Sequence, residues 1–219
     1  MPAVLFDLDG TLADSIDLIL SSYDHAVFTV LGRHPNLEHM RGYIGRSLRD
    51  TFDELDPEHA DELIAAYTEH NMANTAMIKP FPGVNEMLRD LRAAGYKTGI
   101  VTSKRRESAE ATMRQVGLDG LIELVVTPED TDAHKPDPEP LLKGAAKLGV
   151  EPARTCGKSV TWDCAYVGDA VVDVLAAKAA RMRAVAMPWG AASEAELLEA
   201  GPDAIAHSAE ELEAVLTSR

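Results

Sequence analysis

The chain is poor in cysteine, with only Cys156 and Cys164 among its 219 residues. Two thiols so close together make no disulfide framework. A structural zinc would need further ligands, and the stretch between them supplies only Asp163. Long apolar runs are missing too, so no stretch is fit to cross a bilayer. Positive charge is scarce: 21 lysines and arginines face 36 aspartates and glutamates, leaving a formal charge of -15. A surface of that sign repels nucleic-acid backbones and anionic membranes, which excludes both as expected partners. It also repels a phosphorylated small molecule unless the binding site carries its own cations. There are no internal repeats and no low-complexity tract. Ala3-Val4-Leu5-Phe6 already reads as a buried strand, which leaves no room for a signal peptide and sets the expected location as cytoplasmic.

What is present is an ordinary globule, 46% hydrophobic with a mean hydropathy of -0.12. The length allows one sizeable core, or a core with a smaller inserted domain. Short apolar runs recur at Val4 to Phe6, Thr98 to Val101, Leu121 to Val126, Ala165 to Val167 and Ala184 to Met187. Each is bounded by polar residues or glycine, as strands buried on both faces are. Helical patterns lie between them over Val84–Ala94, Arg106–Val116, Glu139–Leu148 and Val171–Ala180, with Gly95, Gly117 and Gly149 placed as C-terminal stops. This alternation predicts an α/β fold, a Rossmann-like doubly wound parallel sheet. Between Ser15 and Ile78 the alternation stops and only helical periodicity remains. One helix is expected from Ser15, as its cap, through Val30. A second is expected from Asp56-Pro57 through Leu63, Ile64 and Tyr67 towards Met77. The reading is an all-helical domain over residues 15–78 inserted into a core of residues 1–14 and 79–219, with Lys79-Pro80-Phe81-Pro82-Gly83 as the hinge-like return.

The chemistry concentrates at strand ends. Phe6-Asp7-Leu8-Asp9-Gly10-Thr11-Leu12 follows the first run directly. Side chains two apart on an extended backbone share a side, so Asp7 and Asp9 face one space. It lies at the carboxyl end of a parallel strand, where such folds bind ligands. Two carboxylates that close repel one another unless a cation sits between them or one is protonated, and an oxygen-loving Mg²⁺ fits. A loop of Asp and Gly is common at strand ends, but a DxDGT match arises by chance in only a few chains per thousand, roughly, on average residue usage. Gly168-Asp169-Ala170-Val171-Val172-Asp173 repeats the pattern after another strand. Here Asp169 is either a remaining metal ligand or the cap of the next helix. Thr102 and Ser103 end a third strand and suit a phosphate oxygen through hydroxyl and backbone N–H groups. Lys135 lies in the proline-stiffened His134-Lys135-Pro136-Asp137-Pro138-Glu139-Pro140. A lysine fixed there would balance the aspartates and stabilise charge on a transferring group.

These elements, in this order, resemble the haloacid dehalogenase superfamily of phosphotransferases. The resemblance covers nearly the whole chain. It is strongest to the branch with a helical cap, which includes phosphoglycolate phosphatases, PpaX-type pyrophosphatases and β-phosphoglucomutases. Its supporting text is DLDGTLAD at Asp7–Asp14, Pro82-Gly83, IVTSK at Ile100–Lys104, HKPDPEP at His134–Pro140 and YVGDAVVD at Tyr166–Asp173. The resemblance implies a phosphoric monoester hydrolase, phosphoglycolate phosphatase-like, that dephosphorylates a small metabolite. Asp7 would be the nucleophile that becomes an aspartyl-phosphate, and Asp9 the general acid and base. Mg²⁺ would be held by the Asp7 carboxylate, the Asp9 main-chain carbonyl and Asp169. Thr102 and Ser103 would bind the phosphoryl oxygens, Lys135 would stabilise nucleophile and phosphoryl group, and Asp173 would orient Lys135 or metal-bound water. Dehalogenases generally lack an aspartate at the position of Asp9, so its presence favours phosphoryl transfer.

The chain departs from the family between Pro152 and Tyr166, which holds about nine residues more than a short helix-to-strand connection needs. A surface excursion opposite the active site is expected there, with a dimer contact or a substrate-side loop around Trp162 as the alternatives. Gly42-Tyr43-Ile44-Gly45-Arg46-Ser47-Leu48 falls where the family's cap presents its specificity loop. Arg46 would meet a substrate carboxylate, as in phosphoglycolate, or a second phosphate, as in pyrophosphate; as an ordinary surface charge it would meet neither. A pyrophosphatase and a phosphomutase remain alternatives, as does a non-catalytic binding module. The complete set Asp7, Asp9, Thr102, Lys135 and Asp169 argues against the last. Monomer and homodimer are both open.

Overall fold

The computed structural model describes residues 3–156 and 159–218, and the side chains of residues 154–161 lie outside that description. The chain begins with β1 (Ala3–Phe6), whose side chains alternate between two cores. Val4 and Phe6 enter one and Ala3 and Leu5 the other, as a strand covered on both faces must. A short strand, β2 (Ala13–Asp14), then leads into four helices: α1 (Ile16–Leu31), α2 (Leu37–Arg41), α3 (Leu48–Leu55) and α4 (Ala60–Ala73). Their apolar faces share a separate cluster built on Tyr23, Val27, Phe52, Leu63 and Tyr67, whose rings meet edge-on or tilted at 5.0–6.2 Å. A 3₁₀ turn at Thr75–Met77 follows, and β3 (Lys79–Pro80) pairs antiparallel with β2. The chain thus leaves and re-enters the sheet region through one two-stranded ribbon.

The second half alternates α5 (Val84–Ala93), β4 (Lys97–Val101), α6 (Arg106–Gln115), β5 (Leu124–Val126) and α7 (Glu139–Leu148). A hairpin of β6 (Ala153–Cys156) and β7 (Ser159–Trp162) intervenes. It precedes β8 (Cys164–Gly168), α8 (Val171–Ala179), β9 (Arg183–Ala186), α9 (Glu194–Ala200), β10 (Ala204–Ile205) and α10 (Ala209–Thr217). The main sheet has the order β10-β9-β8-β1-β4-β5, and every neighbouring pair is parallel. Helices α5, α6 and α10 cover one face through Leu88, Ala109 and Leu212. Helices α7, α8 and α9 cover the other through Leu141, Val174 and Leu197. This is the expected doubly wound α/β architecture. β1 is central and the winding reverses beside it, which puts the ligand crevice at its carboxyl end.

The helical region is finer-grained than its periodicity predicts. The first helix runs as expected, but α2 and α3 are extra, and the second long helix begins at Ala60 and ends at Ala73. Five- and eight-residue helices are too short to show a clear period. The excursion before Tyr166 is a hairpin, in register Ala153↔Trp162. Thr155, Val160, Thr161 and Trp162 are β-formers, but the run is too short to displace the expectation of a loop. It joins β8 at Cys164, which pairs with Ala3 at the start of β1, so it lies at the sheet end away from Asp7 and Asp169. Cys164 is buried and free, and the side chain of Cys156 falls outside the described residues. No helix among the described residues is long and apolar enough to cross a membrane.

Candidate active site

Three strand ends deliver the key groups. Asp7 follows β1, Thr102 follows β4 and Asp169 follows β8. Asp7 is 3% exposed; its Oδ1 accepts the Leu8 N–H at 2.8 Å, and Oδ2 lies 3.1 Å from Lys135 Nζ. Lys135 comes from the loop before α7 and also donates to Asp173 Oδ1 at 2.7 Å and to the Tyr166 hydroxyl at 3.1 Å. Tyr166 in turn donates to the Val101 carbonyl at 2.8 Å. The other Asp173 oxygen accepts the Ala170 N–H at 3.0 Å, at the start of α8. Both Asp173 oxygens are therefore occupied, one by Lys135 and one by the helix it caps. That arrangement suits a residue that orients the lysine, and it withholds from Asp169 the capping role that was one of its two sequence readings. Asp169 instead accepts Thr11 Oγ1 at 2.6 Å and the Ala191 N–H at 2.7 Å.

Asp9 lines the same cavity as Asp7, as two-residue spacing requires, and among the described residues different side-chain cations face the two. Each has its own ammonium. Lys104 Nζ lies 3.1 and 3.2 Å from the two Asp9 oxygens, and Ser15 Oγ donates to Oδ1 at 2.7 Å. Ser15 does stand at the N-terminus of α1, but its hydroxyl makes no cap bond there. Lys104, only 8% exposed along its side chain, is the residue that sequence reasoning passed over. It was visible as the last letter of IVTSK, but lysine's usual place in water hid its role. Thr11 was legible inside DLDGTL, whereas Ala191 and Gly190 carried no signal. Thr102 is buried and its Oγ1 accepts the Lys104 N–H at 3.1 Å. The Ser103 hydroxyl donates to the Gly45 carbonyl at 2.6 Å, which ties β4's end to the helical region.

One oxygen each from Asp7, Asp169 and Asp173 falls within 4.8 Å of the others. Three carboxylates thus crowd one buried space in which the Lys135 ammonium pairs with two, Asp7 and Asp173. Burial, only partly offset by Lys135, pushes Asp7 up to about 7, and Asp173 and Asp9 add to the rise. Burial also holds Asp169 well above the usual carboxylate range, with Asp173 and Asp7 contributing. For Lys135, burial works against the charge, yet Asp173 and Asp7 hold its ammonium above the ordinary lysine range. The cluster is short of positive charge, and its donors are all oxygen. That donor set fits a hard divalent ion such as Mg²⁺.

Above this floor lies a cavity of about 50 Å³ roofed by the helices. Tyr23, Tyr67, Thr68 and Asn71 line it with Asp7, Asp9, Thr102 and Lys104. Arg46 also reaches the rim, where it pairs with Glu54 at 2.8 Å and lies over the Tyr43 ring at 5.0 Å. A wider recess of about 340 Å³ opens beside it, between Leu48, Ile64, Arg105 and His134.

A parallel sheet with acidic groups at its carboxyl edge, under a helical roof, defines an α/β enzyme whose chemistry lies at the strand ends. Comparison with known proteins makes the class specific. Residues 4–187 match the family model described as haloacid dehalogenase-like hydrolase, and the chain belongs to that family. Pyrophosphatase PpaX of Anoxybacillus flavithermus is 34% identical over 219 residues, covering 99% of this chain and 98% of its own. Pyrophosphatase PpaX of Halalkalibacterium halodurans is 35% identical over 214 residues, covering 95% and 94%. Among solved structures, a hydrolase from Pseudomonas syringae superposes with a TM-score of 0.87 at 26% identity, covering 99% of this chain and 98% of that one.

Proposed function

We propose that the chain is a Mg²⁺-dependent phosphatase that hydrolyses a small phosphorylated metabolite through an aspartyl-phosphate on Asp7. The observation that carries this reading is the Asp7 carboxylate itself. It lies at the cavity floor, fixed by the Leu8 N–H and Lys135, with Asp9 lining the same cavity. Residues 15–78 act as a cap on a core of residues 1–14 and 79–219.

In the first step an Asp7 oxygen bonds to phosphorus as the bond from phosphorus to the leaving oxygen breaks. The Asp9 carboxyl gives its proton to that oxygen. In the second step a water oxygen bonds to phosphorus, Asp9 takes the water's proton, and the bond to Asp7 breaks. Phosphate leaves and both aspartates return to their starting forms. Lys135 holds Asp7 in place and faces the charge that builds on the transferring group. Thr102 and the main chain at Ser103 bind its free oxygens. Asp7, the Asp9 carbonyl and Asp169 would hold Mg²⁺, which supplies charge neutralisation to the phosphoryl group.

The test is phosphate release from a metabolite panel with and without EDTA, beside Asp7→Asn. Release that needs the metal and vanishes in the variant is the expected result. Release that persists in Asp7→Asn would sink the covalent route. Pyrophosphate belongs on the panel as the second reading, because relatives at 34% and 35% identity carry that activity in their names.

A further inference from the structure

The roof of the cavity and the pairing of its cations bear on what the leaving group is. Among the described residues, three cations line this cavity: Arg46, Lys104 and Arg105. Each already has a carboxylate partner. Lys104 faces Asp9, Arg46 meets Glu54 at 2.8 Å, and Arg105 meets Glu129 at 3.6 Å. Lys135, below them, is shared by Asp7 and Asp173. A second phosphate or a carboxylate would therefore have to displace Glu54 or Glu129, both from exposed pairs, to gain a cation here.

The roof offers neutral hydrogen-bonding groups instead. Thr68 Oγ1 is buried and lacks any hydrogen-bond partner, although buried hydroxyls are nearly always paired. Three residues on, Asn71 is 3% exposed, and its amide orientation is fixed from behind. Ser22 Oγ gives its one hydrogen to the Leu18 carbonyl at 2.6 Å and so receives Asn71 Nδ2 at 3.3 Å, with His70 Nδ1 at 3.1 Å as its other donor. That leaves Asn71 Oδ1 as an acceptor without a partner among the described residues. Spaced i, i+3, the two residues lie on one face of α4 and line the cavity together. The Asn71 acceptor complements a ligand that donates hydrogen bonds, and an alcohol's hydroxyl can also meet the Thr68 hydroxyl, which donates or accepts. A phosphate or carboxylate anion has only lone pairs to offer Asn71 Oδ1 and would be repelled by it.

Resting on the phosphatase reading above, we infer that the leaving group is an uncharged, hydroxyl-bearing alcohol, and that Thr68 and Asn71 read its hydroxyls. The substrate class is then a short polyol or sugar phosphate, with pyrophosphate and phosphoglycolate disfavoured. The cavity of about 50 Å³ shares Leu48, Ser103 and Arg105 with the recess of about 340 Å³, so an alcohol longer than a short polyol has room to extend.

The experiment measures kcat/KM of the full chain with Mg²⁺ on glycerol phosphate, pyrophosphate, phosphoglycolate and phenyl phosphate. Glycerol phosphate is expected to exceed both anionic-leaving-group substrates by about tenfold, the size of one good hydrogen bond. In Thr68→Val and Asn71→Leu, the ratio of glycerol phosphate to phenyl phosphate should fall about tenfold each, mainly through KM. Thr68→Ser, which keeps the hydroxyl, should restore the ratio. A preference for pyrophosphate or phosphoglycolate, or a ratio unmoved by the substitutions, overturns the inference while leaving the phosphatase reading intact. Failure of the wild type to release phosphate from any of the four overturns both. The ratio within each variant separates hydroxyl reading from damage to the fold, which lowers both substrates together.

Discussion

The floor and the roof of the cavity are built on different principles. On the floor every carboxylate is held by at least two contacts at 2.6–3.2 Å, and Asp7 and Asp169 directly follow strands. On the roof the lining groups Thr68 and Asn71 are neutral, Thr68 Oγ1 is unpaired, and Arg46 at the rim faces Glu54. A rigid, ionic floor suits a reaction whose geometry cannot vary. A neutral roof built from three helices suits recognition, which can change without disturbing the chemistry beneath. Floor substitutions should therefore abolish turnover on every substrate, and roof substitutions should redistribute it.

The largest effect is expected from Asp7→Asn, which removes the proposed nucleophile and should cut turnover by ~10⁴-fold or more. Single-turnover assays with labelled substrate should find no acid-stable phosphoprotein in this variant. A phosphoprotein that persists would move the nucleophile elsewhere on the floor. Next comes Lys135→Met. It leaves Asp7 and Asp173 buried without their cation, so a loss of about 3–5 kcal/mol in unfolding free energy should accompany lost activity. If stability measured by urea titration is unchanged, the floor is not the ionic lattice described here.

The third effect joins metal to pH. Asp7 titrates near 7 in the fold against 3.8 as its ordinary value, so between those limits the folded state holds a proton that the unfolded chain has lost. Its contribution to stability is fully present below about 3.8 and is lost as pH rises through about 7. Mg²⁺ at the proposed site would counter that loss by neutralising the ionised carboxylates. At a hundred times its dissociation constant it adds about 2.7 kcal/mol. Thermal melts should show a larger Mg²⁺-induced rise at pH 8 than at pH 5. Equal rises at both pH values would place the ion away from Asp7 and Asp169. The smallest effect belongs to the rim. Arg46→Ala breaks an exposed pair worth at most about 1 kcal/mol, and a change in kcat/KM beyond tenfold on any substrate would show that the roof is not neutral in use.

The same contrast explains what could be read in advance. Asp7, Asp9, Thr102 and Asp169 were legible because strand ends and fixed spacing bring them together, whereas Lys135, in a loop, and Asp173, within α8, were legible through their motifs and the family resemblance. Thr68 and Asn71 were not, because their meeting with Asp9 depends on how α4 packs on α1, a matter of Tyr23, Phe52 and Tyr67 fitting together. Lys104 stood between these cases: its position was plain, but its burial against Asp9 was a property of the fold. The hairpin over β6 and β7 escaped because its alternation is too short to outweigh the expectation of a loop.

The seat of Asp169 has a consequence for how this sequence can drift. A Cβ on Gly10 would come within 2.1 Å of Asp169 Oδ2, and one on Gly190 would meet the same oxygen at 2.1 Å and the Gly10 carbonyl at 2.4 Å. Moving the aspartate relieves one collision but leaves the carbonyl in the way of the other. Gly32, Gly95 and Gly120 have open space around the same position. In a library of random alanine replacements, the first two glycines should be lost from the functional pool early and together, while the other three should lose representation only as far as their left-handed backbone demands.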